Sequence, residues 1–249
     1  MEECHEINTP MEYGLKLSKN DPSEEVNPNL YRKLVGSLMY LTNTRPDIMF
    51  AVNKISQFME YPRRNHWEAG KRILRYIKGT VNHGIVYSKG SKGKLVAFSD
   101  SDYAGSIDDS KSTSGYVFNF GSGAIAWQSR KQKVVALSST EAEYIALSLA
   151  GCQALWVKGI LNSLQMHMDG PPTILCDNKS TICLAKDPVY HGKSKHIRIK
   201  YHFIRELIKN DEVEVRFCTT KEQVADILTK ALQPKDFLRL KDLLHVTSV

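Results

Sequence analysis

Four carboxylates stand where the chain is expected to change direction. Asp100 comes just after the apolar and aromatic run Leu95 to Phe98, and Asp177 directly follows Thr173 to Cys176, so each marks the end of an expected strand. Glu143 and Asp226 each fall in the second turn of a helix announced by a capping box, Ser138 with Glu141 and Thr220 with Gln223. Neighbouring strand ends can bring carboxylates within a few ångströms, and helices crossing that edge can add two more. Like charges that close oppose one another's ionisation, and divalent cations remove the conflict. Hard oxygen ligands suit Mg²⁺ or Mn²⁺. A carboxylate cluster holding two such ions about 3.5 to 4 Å apart hydrolyses phosphodiesters: one ion activates water and the other stabilises the leaving 3′ oxygen. The same residue types also have plain structural uses, since an Asp after a strand forms turns and an acid early in a helix is favoured by the dipole. Order and neighbours must therefore decide.

The elements that would carry these acids follow from periodicity. Residues 1–29, with Pro10, Pro22 and Pro28 and no sustained apolar period, read as a mobile extended arm or linker. Leu34, Val35, Leu38, Met39 and Leu41 recur at helical spacing, Thr44-Arg45-Pro46-Asp47 breaks that helix, and Ile48, Val52 and Ile55 give a second one an apolar face. A third helix opens at Asn65-His66-Trp67, with Ile73, Leu74 and Ile77 inward and Lys71, Arg72, Arg75 and Lys78 outward, and Gly79 ends it. Residues 30–83 thus form a helical module. From 84 to 233 the texture is that of a mixed sheet with helices. Ile85 to Tyr87 and Leu95 to Phe98 are expected as one hairpin, and Tyr116 to Phe118 with Ala124 to Trp127 as another. A long helix then runs to about Leu164 on a stripe of Ile145, Leu149 and Trp156. Shorter strands and helices alternate after it, over Thr173 to Cys176, Ser180 to Ala185, Ile197 to Ile208 and Val213 to Phe217. Residues 234–249 are left as a tail with a short helix.

Composition sets the surroundings. The 249 residues, 42% hydrophobic and 24% charged, are those of a globular chain, with neither disorder nor low complexity across its length. The net charge of +7 favours a polyanionic partner. It is concentrated between Arg63 and Lys94, where nine basic residues meet Glu68 alone, which is either a solvated face or a phosphate-tracking one. Five scattered cysteines without a CxxC pair exclude a disulfide framework or zinc knuckle and suit a reducing compartment. The acidic, polar start and the absence of a long apolar run lead us to expect a soluble intracellular protein, in cytoplasm or nucleus, with no membrane partner.

Local sequence adds a resemblance. Phe98-Ser99-Asp100-Ser101-Asp102-Tyr103-Ala104-Gly105, Lys111-Ser112-Thr113-Ser114-Gly115-Tyr116, Ala136-Leu137-Ser138-Ser139-Thr140-Glu141-Ala142-Glu143-Tyr144, Cys176-Asp177-Asn178-Lys179-Ser180, Lys195-His196-Ile197 and Ala225-Asp226-Ile227-Leu228-Thr229-Lys230 occur in the order of the ribonuclease H domain of Ty1/copia-type retrotransposon polyproteins. The chain resembles that family over about residues 94–233. Upstream, Tyr31-Arg32-Lys33-Leu34-Val35-Gly36-Ser37-Leu38-Met39-Tyr40-Leu41, Thr44-Arg45-Pro46-Asp47 and Leu74-Arg75-Tyr76-Ile77-Lys78-Gly79-Thr80 are similar to the segment connecting reverse transcriptase to it.

The resemblance implies a ribonuclease H-like α/β fold, a five-stranded mixed sheet with flanking helices. It also implies two Mg²⁺ (or Mn²⁺) ions held by Asp100, Glu143, Asp177 and Asp226, and hydrolysis of the RNA strand of an RNA/DNA hybrid. Asp102 is the alternative to Asp100, and the spacing to Gly105 favours Asp100. Glu141 is the alternative to Glu143, and its capping duty favours Glu143. Ser101, Asn178, Ser180, Lys195, His196 and Arg198, with Lys71, Arg72, Arg75 and Lys78, are the expected nucleic-acid contacts, and the hybrid would be recognised by shape, 2′ hydroxyls and phosphates. The loop Cys218-Thr219-Thr220 lacks the histidine that cellular enzymes of this fold often carry before the last helix. Arg198 and Gln153 replace acids common in relatives. No Tyr-x-Asp-Asp motif occurs, so no polymerase activity is expected, and the Met1 start reads as a truncated element that would work with the remainder of a reverse transcriptase polyprotein. Two further readings stay open. One is a catalytically inactive, nucleic-acid-binding remnant. The other is a secreted effector, suggested by the Arg-x-Leu-Arg tetrapeptide Arg72-Ile73-Leu74-Arg75.

Overall fold

A computed structural model describes residues 3–89, 93–166, 168–186 and 199–248. Its centre is a five-stranded sheet of β2 (Leu95–Ser101), β3 (Thr113–Phe120), β4 (Gly123–Lys131), β5 (Thr173–Cys176) and β6 (Glu214–Phe217), in the spatial order β4-β3-β2-β5-β6. β3 runs antiparallel to β2 and β4, whereas β5 and β6 run parallel to β2. The parallel partners place the carboxyl ends of β2 and β5 side by side, which is where Asp100 and Asp177 occur.

Both faces of the sheet are covered. On one lie α4 (Ser139–Ser163), α5 (Lys179–Lys186) and α6 (Phe203–Lys209), packed on Leu95, Ala97, Phe118, Ile174 and Val215. α4 is long and apolar enough to cross a membrane by length and composition alone. It lies instead against the sheet, with Tyr144, Leu147, Ala150 and Ala154 fully buried. Trp156, expected on its inward stripe, is 61% exposed. The expected helix 197–208 is a 3₁₀ turn, Ile199–His202, leading into α6.

The opposite face is covered by the helical module, α1 (Pro28–Leu41), α2 (Met49–Ser56) and α3 (Arg64–Lys78), which shares one core with Phe98, Val117, Ala124 and Trp127 of the sheet. The module is therefore a layer of the fold. A buried ion pair fixes its corner: Arg45 donates to Asp47 at 2.8 and 2.9 Å and to the Thr80 carbonyl at 2.9 Å, and the Tyr76 hydroxyl donates to Asp47 at 2.6 Å. The N-terminal arm is docked, with Met11 and Leu17 buried. α7 (Pro234–Leu243) puts Phe237 and Leu240 into the same core, joined by Leu244 and Val246. The expected hairpin of 85–87 with 95–98 does not form. β1 (His83–Ile85) pairs antiparallel with the C-terminal strand β7 (Val246–Ser248), and β2 takes β3 as its hairpin partner. Pairing between distant segments is set by the shared core, which local turn residues do not report.

Candidate active site

Each of the four acids is delivered by a different element. Asp100 is the penultimate residue of β2, Asp177 follows β5, Glu143 sits in the second turn of α4, and Asp226 lies in a 3₁₀ helix, Val224–Leu228. α4 begins as expected: Ser138 Oγ accepts from the Glu141 amide at 3.1 Å, and the Glu141 carboxylate accepts from the Leu137 amide at 2.8 Å. Glu141 is thereby committed to the cap, and Glu143 points into the cluster.

The element carrying Asp226 departs from expectation. Thr220 does not cap it; the Thr220 hydroxyl donates to Asp177 at 3.0 Å. Gln223 caps the turn through the Ala225 amide and donates to the Ser99 carbonyl of β2 at 2.9 Å, tying the Asp226 turn to the strand that bears Asp100. Gly115 makes that approach possible. It pairs with Asp100 across β2 and β3, and a Cβ there would lie 2.8 Å from both Leu228 Cβ and Thr229 Cγ2.

Asp100, Glu143 and Asp226 are nearly fully buried, and Asp177 is half-buried. Burial, followed by the charges of Asp100 and Asp177, pushes the Glu143 carboxyl far above the usual carboxylate range. Asp226 is raised by burial and by Asp100, with Lys230 opposing. Glu143 lies within hydrogen-bonding reach of Asp100, an approach two carboxyls satisfy only by sharing a proton. Its Oε2 is buried without a hydrogen-bond partner. Two cationic or hydroxyl groups relieve part of the charge: Lys230 Nζ lies 2.9 Å from Asp226 and 3.9 Å from Asp100, and the Thr229 hydroxyl donates to Asp100.

Such a donor set fits a divalent cation. Glu143, Asp177 and Cys176 offer ligand atoms within 4.8 Å of one another, and Glu143 carries a buried oxygen with no hydrogen-bond partner. Cys176 is fully buried, and its thiol is pushed strongly upward by burial and Glu143, which leaves the hard carboxylates as the ligands a hard ion would take.

Asp102 has a different duty. It accepts from the Thr113 amide, and a Cβ on Gly105 would collide with its carboxylate at 1.8 Å, so it shapes the β2–β3 turn while burial raises its carboxyl to about 6. The Ser101 hydroxyl is bonded to backbone carbonyls and Gln132, Asn178 caps α5 through the Thr181 amide, and Ser180 is exposed. Of the basic contacts, Arg72 donates to Thr9 at 3.0 Å, Arg75 to the His5 carbonyl at 2.7 Å and Lys78 to the Cys4 carbonyl at 3.0 Å, so all three hold the N-terminal arm. Lys71 pairs with Glu68 and lies over the Trp67 ring. Lys195, His196 and Arg198 lie outside the described residues. Gln153 accepts from the Tyr116 hydroxyl at 3.1 Å. Sequence reasoning missed Thr229, Lys230, Thr220 and Gly115 as parts of the site; all but Thr220 lie inside the quoted motifs.

No family model matches the chain. The retrovirus-related Pol polyprotein from transposon RE1 of Arabidopsis thaliana is 44% identical over 243 residues, covering 98% of this chain and 17% of that polyprotein. The chain thus spans under a fifth of the length of the curated polyproteins it matches. Secreted RxLR effector protein 161 of Plasmopara viticola is 47% identical over 128 residues, which is 51% of this chain and 90% of that protein. Among solved structures, LC11-RNase H1 in complex with an RNA/DNA hybrid aligns at 14% identity and a TM-score of 0.38, covering 55% of this chain and 94% of the other. The strand order above, and not that slight likeness, defines the fold.

Proposed function

We propose that this chain, which belongs to the family of copia-type retrotransposon Pol polyproteins, is their ribonuclease H portion and hydrolyses the RNA strand of RNA/DNA hybrids. The observation that carries this reading is that four elements bring Glu143 against Asp100 and Asp177, and Asp226 against Asp100, with a buried Glu143 oxygen lacking a hydrogen-bond donor. Two Mg²⁺ or Mn²⁺ ions are the cofactors that would suit it, and Asp100, Glu143, Asp177 and Asp226 are the residues that would hold them. When bound, the ions supply an acidified water and a counter-charge for the leaving 3′ oxygen, giving 5′ phosphate and 3′ hydroxyl ends.

The chain's own residues do the positioning. Thr220 orients Asp177, Thr229 orients Asp100, and Gln223 with Gly115 sets the spacing between the β2 end and the Asp226 turn. Burial of three of the acids excludes water from their inner oxygens. Partners in this reading are the hybrid and the remainder of the polyprotein. The site of action is inside the cell, in cytoplasm or nucleus, as five unpaired cysteines suggest.

The test is cleavage of an end-labelled hybrid with Mg²⁺, wild type against Asp100→Asn and Asp177→Asn. Cleavage that needs Mg²⁺ and falls at least a hundredfold in both variants is expected; none in the wild type, or undiminished cleavage in both variants, refutes it. Hybrid binding without turnover would support the inactive remnant. The effector reading has the weaker support. Its tetrapeptide lies within α3, where Ile73 is fully buried and both arginines hold the N-terminal arm, so no free recognition motif is presented.

A further inference from the structure

Among the described residues Lys230 is the cation paired with the carboxylate cluster, and the chemistry proposed above does not use it. Its ammonium is 2.9 Å from Asp226 Oδ1 and 3.9 Å from Asp100 Oδ2, and these two acid side chains are 9% and 3% exposed. The lysine side chain itself is 41% exposed. The backbone at this point is fixed: the Lys230 amide donates to the Asp226 carbonyl at 3.2 Å, and the preceding Thr229 hydroxyl donates to Asp100. The root of the side chain is therefore held at the rim of the cluster, while the side chain as a whole remains partly exposed.

We infer that Lys230 is a built-in counter-cation of the carboxylate cluster, which a divalent metal must displace from Asp226 and Asp100, so that this residue sets the affinity of the site for metal. The inference rests on the metal reading given above. The ammonium, 2.9 Å from Asp226 Oδ1, stands in the approach a metal would take to that oxygen, and its charge adds repulsion against any divalent ion arriving there in a partly buried setting. With metal absent, the lysine lowers the repulsion that would otherwise open the cluster. With metal bound, it swings outward on its exposed stem. Lys230 is a positioning residue that acts through the acids.

The experiment is titration of Mn²⁺ into metal-free full-length protein, with free Mn²⁺ counted by its electron paramagnetic resonance signal and melting temperature read in parallel. Wild type is compared with Lys230→Met, which keeps the stem and loses the charge, with Lys230→Gln as a second neutral form, and with Lys230→Arg. Both neutral variants are expected to bind Mn²⁺ about tenfold more tightly, equivalent to about 1.4 kcal/mol, and to melt lower than wild type without metal. Lys230→Arg should stay within about twofold of wild type. Unchanged or weaker Mn²⁺ binding in both neutral variants overturns the role given to Lys230. Absence of Mn²⁺ binding by the wild type overturns the metal reading itself, a distinguishable outcome.

Discussion

Glu143→Gln should stabilise the metal-free protein while abolishing cleavage. The carboxyl is buried among Asp100 and Asp177, so its folded-state pKa lies well above the ordinary 4.5. A carboxyl raised on folding holds its proton more tightly in the folded than in the unfolded chain. Its effect on stability is nil below the unfolded pKa and becomes increasingly unfavourable as pH rises above it. At pH 7 the interval of about 2.5 pH units above 4.5, at about 1.36 kcal/mol each, bounds the penalty at about 3.4 kcal/mol. Glutamine carries no such penalty, can still accept at its carbonyl, and supplies an amide N–H to Asp100. A gain of about 1.5 to 3 kcal/mol is expected, or a melting temperature about 4 to 10 °C higher for a chain of this size. Melts at pH 7 and pH 4 in chelator test it. A gain at pH 7 that vanishes at pH 4 is expected, and saturating Mg²⁺ should reverse the order because the wild type alone keeps the full ligand set. No gain at pH 7, or an equal gain at pH 4, refutes the electrostatic reasoning.

Gly115→Ala should push the Leu228–Thr229 segment off the sheet, costing about 1 to 3 kcal/mol of stability and at least about tenfold in hybrid cleavage; wild-type cleavage in a steady-state assay would show the close approach to be dispensable. Arg45→Met strands Asp47 and should cost about 3 to 5 kcal/mol in a urea melt, with no specific loss of Mn²⁺ affinity in whatever remains folded. Deleting residues 244–249 removes the fully buried Leu244 and Val246, about 1.5 to 3 kcal/mol each. The truncated chain should melt markedly lower and lose the coupling of α7 to the Asp226 turn, read as weakened Mn²⁺ binding.

Some of the site was legible because its signals are local. A strand followed by Asp, a capping serine three residues before Glu141, and the runs around Asp177 and Asp226 each depend on a few adjacent residues, and they placed Asp100, Glu143 and Asp177 on the elements observed. Asp226 was found on a different element, since a 3₁₀ turn and an α-helix start from the same polar opening, and the long-range hydrogen bond from Gln223 to Ser99 that holds the turn has no signature in the neighbouring residues. The basic face of α3 was read as open because periodicity reports which side faces away from the helix's own core. It carries no information about an arm, distant in sequence, that accepts those donors.

What the sequence alone determined, then, is the strand-and-helix texture and where along it the four acids fall. Tertiary structure decided the rest. It made the helical module a covering layer of the sheet, brought β7 back to β1, required a glycine opposite Asp100, and set Lys230 between two of the acids. Each of these depends on contacts between segments far apart in the chain, chosen by a shared core and by mutual charge, and no window of neighbouring residues contains both partners.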